Sequence, residues 1–218
     1  MNKLIFCSIF VILSSYSQAQ RTNEFQIRAG LGLAIYEANS MLQYVYSSNQ
    51  YEFKDKDGAA TFHFPVELRY EVSDRFNAGI DMKFGSYLYS DTTDNSGKSN
   101  RFSIIGIGAE VNLITAEKGR VYIGAGFNSG TLAIREFAGG LGEETKWRGP
   151  GYRFNIGGIA FIYNGPIGVN FNIGYDKHTF DLKEYQLNGG LQDISSLIGT
   201  LAVSGVDINL GLVWRIKS

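Results

Sequence analysis

The chain has 218 residues, with 20 Lys and Arg against 21 Asp and Glu, 27 Gly, three Pro and a single Cys. This near-neutral balance disfavours nucleic-acid binding, because proteins that bind nucleic acids carry an excess of basic side chains. Aromatic residues make up 14% and charged residues only 19% of the chain, which excludes a disordered protein. The glycines are scattered through apolar stretches without a three-residue period, which excludes collagen and argues against long helices.

The first residues have the pattern of an export signal. Lys3 precedes a short apolar segment at 4–13, and Ser17 and Ala19 are small residues at the positions that a signal peptidase reads. The apolar segment is too short to cross a bilayer as a helix. We therefore predict a cleaved signal peptide at 1–19.

The mature chain is predicted to be a single barrel domain at 20–218. Cys7 lies within the signal peptide, so we expect neither disulfides nor thiolate metal sites after cleavage. The fold must then be stabilised by packing or by a membrane.

Alternating hydrophobicity runs through the mature chain. Bulky apolar residues occupy one parity, and Gly, Asn and charged residues occupy the other, which is typical of β-strands. The eight predicted strands begin near Glu24, Phe62, Phe76, Ile105, Val121, Tyr152, Ile167 and Val206. No long helical pattern interrupts them.

The connections between these strands alternate in length. Three are tight turns rich in turn-forming residues, at 73–75, 115–119 and 164–166. Four are long, at 37–58, 90–100, 135–149 and 177–204. This alternation predicts an all-β fold: an eight-stranded antiparallel up-and-down transmembrane β-barrel with short periplasmic turns and long external loops.

The distribution of charge between the two parities indicates which face meets lipid. The apolar parity carries essentially no charge in any strand, as expected for side chains that face lipid, so the other parity must line the lumen. We predict a lumen polar network of Arg28, Glu67, Arg69, Asp81, Lys83, Glu110, Arg153, Asp176 and Arg215. Glu71 and Asp207 share this parity. Glycines on the same parity are expected to make room for these long side chains, which would leave no continuous water channel.

Aromatic residues on the apolar parity fall near strand ends, where the interfaces of a bilayer are expected. The predicted membrane-interface aromatics are Phe25, Tyr70, Phe76, Tyr152, Tyr175 and Trp214.

Together these features resemble a known family. An export signal, eight strands of about ten residues, alternating connections and a closing amphipathic strand at 206–218 are similar to the small eight-stranded outer-membrane barrels of the OmpA/OmpX type. The Gly-rich strands also resemble the outer membrane protein beta-barrel domain family of Bacteroidetes-like bacteria. The usual enterobacterial ending is absent, because Ser218 stands where those barrels have Phe. The resemblance implies the outer membrane of a Gram-negative bacterium, contact with outer-membrane lipid, folding by the barrel-assembly machinery, and no cofactor.

The favoured function is a non-enzymatic membrane barrel with a structural or surface-interaction role, in which the four long loops contact a protein or another surface ligand. An alternative is a lipid-modifying barrel enzyme that uses His63 or His178 with a serine and an acid. The residues after His178 are Thr179, Phe180 and Asp181, which lack the His-x-Ser pattern of lipid A deacylases, so we predict no catalytic residue.

A further alternative is a soluble, lipocalin-like carrier of an apolar ligand. It requires the opposite arrangement of the two parities, with the bulky residues inside and the charges facing water.

Overall fold

The computed structural model describes residues 24–44, 50–91, 96–116, 118–138, 141–195 and 197–217. The signal peptide predicted at 1–19 lies outside these residues and stays a prediction. Within the described part, the only helical segment is the short 3-10 turn Ile162–Asn164, and no helix is long and apolar enough to cross a membrane.

Eight long strands form one closed antiparallel barrel. Their bounds are β1 Glu24–Tyr44, β2 Gln50–Ser73, β3 Phe76–Asp91, β4 Ser96–Ala116, β5 Gly119–Ala138, β6 Leu141–Phe161, β7 Ile167–Leu187 and β9 Leu197–Lys217, with a two-residue strand β8 at Gly190–Leu191. Each long strand pairs with its neighbours in the chain, and the pairing of β9 with β1 closes the ring. The predicted eight-stranded up-and-down barrel is confirmed.

The strands are much longer than the ten or so residues expected from the sequence pattern. Most of each long connection continues as paired strand; for example, β1 and β2 stay paired as far as Gln43 and Gln50. Beyond the bilayer the outer face of a strand contacts water instead of lipid, so the apolar outward parity that marks a membrane strand is not required there. The tight turns lie where they were predicted, between β2 and β3, β4 and β5, and β6 and β7.

A belt of exposed apolar side chains surrounds the barrel. In β7 every outward-facing residue from Ile167 to Tyr175 is apolar and exposed, and the next outward residue is Lys177. In β1 the corresponding change falls between Ile35 and Glu37. We call the apolar belt the outward-facing residues of 25–35, 62–72, 76–84, 105–113, 121–127, 152–160, 167–175 and 206–216. With a rise of about 3.3 Å per residue and a tilt of about 40°, such segments span about 25 Å, the height of a membrane barrel's lipid-facing band.

Two small apolar clusters lie inside the barrel, one at each end. The turn-side cluster contains Tyr122, Ile159, Phe161 and Val213. The loop-side cluster contains Trp147, Phe180, Leu182 and Leu201. The interior between them is polar and charged, so the usual arrangement of a soluble barrel is inverted.

Candidate functional site

Arg28 of β1 is the centre of a buried group of ion pairs. Its guanidinium donates two hydrogen bonds to the two carboxylate oxygens of Glu110, at 2.7 and 2.8 Å. It also donates to Glu67 at 3.2 Å and to the amide oxygen of Gln26 at 3.0 Å. Because Glu110 lies on β4, this bidentate pair crosses the lumen and links strands that are not neighbours.

Further pairs continue around the ring of strands. The Arg69 Nε atom lies 3.2 Å from Glu110, and the Arg69 guanidinium also binds Asp81. Arg153 lies 3.4 Å from Asp207. These side chains are buried, except that Asp81 is partly exposed.

Lys83 connects two carboxylates from adjacent strands. Its ammonium binds Asp176 of β7 and, at 2.5 Å, Asp207 of β9. The hydroxyl of Tyr36 donates to Asp176 at 3.3 Å. Four cations therefore face five carboxylates in this central group, so the buried charges largely cancel. Such pairs depend on mutual neutralisation, because an unpaired charge in a low-dielectric interior is costly.

His63 belongs to the same polar layer. Its Nε2 atom lies 2.6 Å from the Asn209 Oδ1 atom and 3.5 Å from Asp207. The Asn209 amide donates to Asn172 at 2.8 Å and to Asp207 at 3.1 Å. In the described part of the chain, no serine hydroxyl is hydrogen-bonded to His63 or His178.

A second ionic group lies nearer the turns. Arg120 donates to Glu71 at 2.7 Å and pairs with Glu24 at 3.4 Å. Glu24 and Arg120 were not singled out from the sequence, because each lies at the beginning of a strand where the alternation is not yet established.

Arg215 also lies at the turn-side end. Its guanidinium is 4.0 Å from the centre of the Phe161 ring, and its Nε atom donates to the carbonyl of Gly165 at 3.0 Å. The structure thus brings eight of the nine predicted lumen residues into the central group and places Arg215 against the 164–166 turn.

The predicted interface aromatics all lie on the barrel's outer side. Phe25, Tyr70, Phe76 and Trp214 lie toward the turns, whereas Tyr152 and Tyr175 are at the loop-side edge of the apolar belt. Their role as bilayer anchors stays a prediction.

The space left by inward glycines is filled by polar side chains. A Cβ atom at Gly32 would overlap the His63 ring and the Asn209 amide, and one at Gly174 would overlap Asp207. A Cβ atom at Gly157 would lie 2.5 Å from the Tyr122 hydroxyl oxygen. Glycine is therefore required at these positions, because side chains of the register partners on adjacent strands lie directly over them.

Replacing Gly32 by Ala is expected to lower the free energy of unfolding by about 1–3 kcal/mol, because it forces apart the His63 and Asn209 side chains. Urea titration of the refolded protein in lipid vesicles measures the change. Gly158→Ala is the matched control, since the nearest atom to its added Cβ is at an ordinary distance of 3.4 Å. Equal stability of the two variants would contradict this account of the lumen.

His178 occupies a different environment, just beyond the apolar belt on the loop side. Its ring stacks on Phe180, with ring centres 5.2 Å apart. Both ring nitrogens are buried without a hydrogen-bond partner among the described residues. Burial lowers the pKa of His178 to about 4, against an opposing effect of Asp176, so the ring is neutral at pH 7.

The neutral state of His178 predicts a pH dependence of stability. The unfolded chain binds a proton near pH 6.5 and the folded chain only near pH 4, so stability is complete above 6.5 and is lost as the pH falls toward 4. Between pH 7.5 and 5, the wild type is expected to lose about 1–2 kcal/mol more unfolding free energy than His178→Asn. Urea titrations at both pH values test this; parallel losses in the two proteins would contradict it.

Within the described part of the chain, no group of three or more His, Cys, Asp or Glu residues is arranged to hold a metal ion. The charged side chains of the interior instead pair with one another, as Arg28 does with Glu110 and Lys83 with Asp207.

Comparison with known proteins reveals similarity in structure alone. No protein-family model matches the chain, and no curated protein matches it. The outer membrane protein OprG from Pseudomonas aeruginosa has a similar structure, with a TM-score of 0.55 and 11% identity over 92% of this chain and 99% of that one. Ail, the attachment invasion locus protein of Yersinia pestis, solved in complex with the heparin analogue sucrose octasulfate, gives a TM-score of 0.51 and 13% identity over 90% and 100% of the two chains. With its closed ring of eight strands, polar interior and apolar outer belt, the chain has the fold of the small outer-membrane β-barrels of the OmpA/OmpX type.

Proposed function

We propose that the chain is a non-enzymatic integral barrel of a Gram-negative outer membrane, with a filled polar lumen and a structural or surface-interaction role. The observation that carries this proposal is the inverted polarity of the barrel. Arg28 and Glu110 are buried inside, whereas Leu31, Phe127 and Leu212 are each more than 60% exposed outside. Water would not favour such a surface, but the hydrocarbon core of a bilayer does.

A soluble carrier would need an apolar cavity inside the barrel. Ionic and amide side chains occupy the middle of the lumen, and the two apolar clusters occupy its ends. The observed polarity therefore argues against the lipocalin-like alternative.

The surroundings of the two histidines argue against a catalytic role. His63 is fixed between Asn209 and Asp207, and His178 stacks on Phe180. A hydrolytic site of the expected type needs a serine within reach of the base, and the described hydrogen bonds of these rings include none.

The proposed partners follow from two parts of the barrel surface, the apolar belt and the loop-side half. The apolar belt contacts outer-membrane lipid, and the long loop-side half offers a surface to a protein or another external ligand. The closing strand β9 presents Trp214 and Ile216 outward, which is the alternating pattern that the barrel-assembly machinery would meet during insertion.

The filled lumen leads to an expected result in electrical recordings. The purified protein in planar bilayers is expected to give no stable large conductance, because the buried ion pairs occupy the narrow interior of an eight-stranded ring. Stable, weakly selective channels of large conductance would contradict a filled lumen.

The location and orientation can be tested together in cells. The protein is expected in the outer-membrane fraction, to change its electrophoretic mobility on heating, and to be cleaved in its loop-side half by protease added to whole cells. Recovery in the soluble periplasmic fraction would overturn the proposed function.

A further inference from the structure

A groove crosses the outer face of the barrel from β3 to β6. It has a volume of about 920 Å³. Its floor is a row of three alanines paired in register, Ala78, Ala109 and Ala125. One wall is a parallel row of larger side chains, Ile80, Ile107, Phe127 and Tyr152, also paired in register. The strand register therefore aligns small side chains beside large ones, and this alignment forms the groove in the lipid-facing surface.

The groove rises from the middle of the apolar belt to its loop-side edge. Ile80 lies in the middle of the β3 segment of the belt. At the other end of the same row, Tyr152 is the last belt residue of β6, and it pairs with Lys177 of β7. Lys177 is the first outward residue of β7 beyond the belt. One end of the groove is thus deep in the bilayer and the other reaches a cation at the bilayer surface.

Several exposed cations lie beyond the belt on this side of the barrel, and three of them form one group. We call Arg101, Arg148 and Lys177 the basic rim. In the part of the chain that the structure describes, none of them pairs with a carboxylate within 4 Å. The opposite side differs, because the first outward charge beyond the belt on β1 is Glu37.

The nearby carboxylates are already engaged by other cations. Asp181, which faces Arg148 in the strand register, pairs with Lys183 at 3.4 Å. Glu144 pairs with Arg135 at 2.6 Å, and Glu184 pairs with Lys146 at 2.6 Å. Among the described residues, the positive charge directly beyond the upper end of the groove therefore has no carboxylate partner.

We propose that this face binds a phosphorylated lipid of the outer leaflet, with a phosphate at the basic rim and an acyl chain in the groove. Guanidinium and ammonium groups are the natural partners of phosphate oxygens. Apolar contact alone gives little selectivity in a bilayer, because lipid tails are as apolar as the protein surface. The combination of a shaped groove with uncompensated charge supplies the selectivity, and the proposal rests on the membrane location proposed above.

The basic rim is tested by native mass spectrometry of the full barrel, purified from membranes in mild detergent. The probes are a bis-phosphorylated lipid A, its dephosphorylated form, and phosphatidylglycerol. The wild type is expected to retain the phosphorylated lipid A, and Arg148→Gln/Lys177→Gln is expected to bind it about tenfold or more weakly. The control Arg135→Gln/Lys183→Gln removes the same charge from residues that already have partners and is expected to bind as the wild type does.

A second pair of variants tests the groove. Ala109→Leu/Ala125→Leu fills the floor and is expected to weaken binding several-fold without changing the net charge. Ala29→Leu adds the same side chain on the exposed outer face of β1, away from the groove, and is the control. All three substituted positions face lipid. Binding is compared only for protein that shows heat-dependent electrophoretic mobility, so a folding defect cannot imitate the result.

The outcomes separate this inference from the proposed function. Equal binding of the phosphorylated and dephosphorylated lipids, equal effects of the two charge variants, or a preference for phosphatidylglycerol would each overturn the rim site. If the groove variant binds as Ala29→Leu does, the acyl-chain site is overturned. Each of these results leaves a membrane-inserted barrel intact, whereas a water-soluble protein would overturn both proposals.

Discussion

Replacing Arg28 by Met is expected to lower the free energy of unfolding by about 3–5 kcal/mol. The substitution keeps most of the side-chain volume but removes one of the two arginine partners of Glu110 and one partner of Glu67. Both carboxylates are almost completely buried. The remaining negative charges would be poorly compensated in a low-dielectric interior.

A double-mutant cycle separates the loss of the pair from the loss of packing. Arg28→Met, Glu110→Gln and the combined variant are unfolded by urea in lipid vesicles, with tryptophan fluorescence as the signal. The combined variant is expected to lose much less unfolding free energy than the sum of the losses in the two single variants, because it removes both charges together. Arg135→Met is the control, since its pair with Glu144 involves an exposed arginine and is worth at most about 1 kcal/mol. If Arg28→Met lowers the free energy of unfolding as little as the control does, the account of a buried ionic centre is contradicted.

Replacing Leu210 by Arg is expected to lower the free energy of unfolding in a bilayer by about 2–4 kcal/mol. Leu210 is exposed near the middle of the belt segment of β9, where a guanidinium would displace lipid. Urea titration in vesicles of the wild type and the variant measures the difference.

Ala202→Arg provides the matched comparison on the same strand. Ala202 also faces outward and is exposed, but it lies beyond the belt on the loop side, so its replacement is expected to cost less than about 1 kcal/mol. If this barrel stood in water instead of a bilayer, both positions would face water, and the two variants would then be equally stable. Equal stability would therefore exclude the membrane orientation.

Much of the fold was predictable because a bilayer imposes a rule on every strand that crosses it. From Ile167 to Tyr175 apolar residues alternate with Gly and Asn, since one face contacts lipid and the other fills the lumen. The rule stops at the bilayer surface. The rule therefore assigns the paired strands beyond Ile35 and Tyr175 to loops, because an outer face that contacts water need not be apolar.

The members of the lumen network were more predictable than their partners. Parity placed Arg28 and Glu110 in the lumen, but a pair between β1 and β4 depends on how the ring closes across its centre. Local sequence contains no such information. Arg215 has the correct parity yet stacks on Phe161, because it lies in the last turn-side layer rather than at mid-height.

The two apolar clusters at the ends of the lumen divide the protein's charges into two classes. The ion pairs of Arg28 and Lys83 lie between the turn-side and loop-side clusters and have almost no contact with solvent. Dissolved ions cannot approach them, so ionic strength has little influence on their energies. The cations beyond the belt are fully bathed by electrolyte, and their attraction for anions weakens as salt is added. A change in the salt concentration of the medium therefore alters the binding of anions to the outer surface. The energies of the buried ion pairs that stabilise the barrel stay almost unchanged.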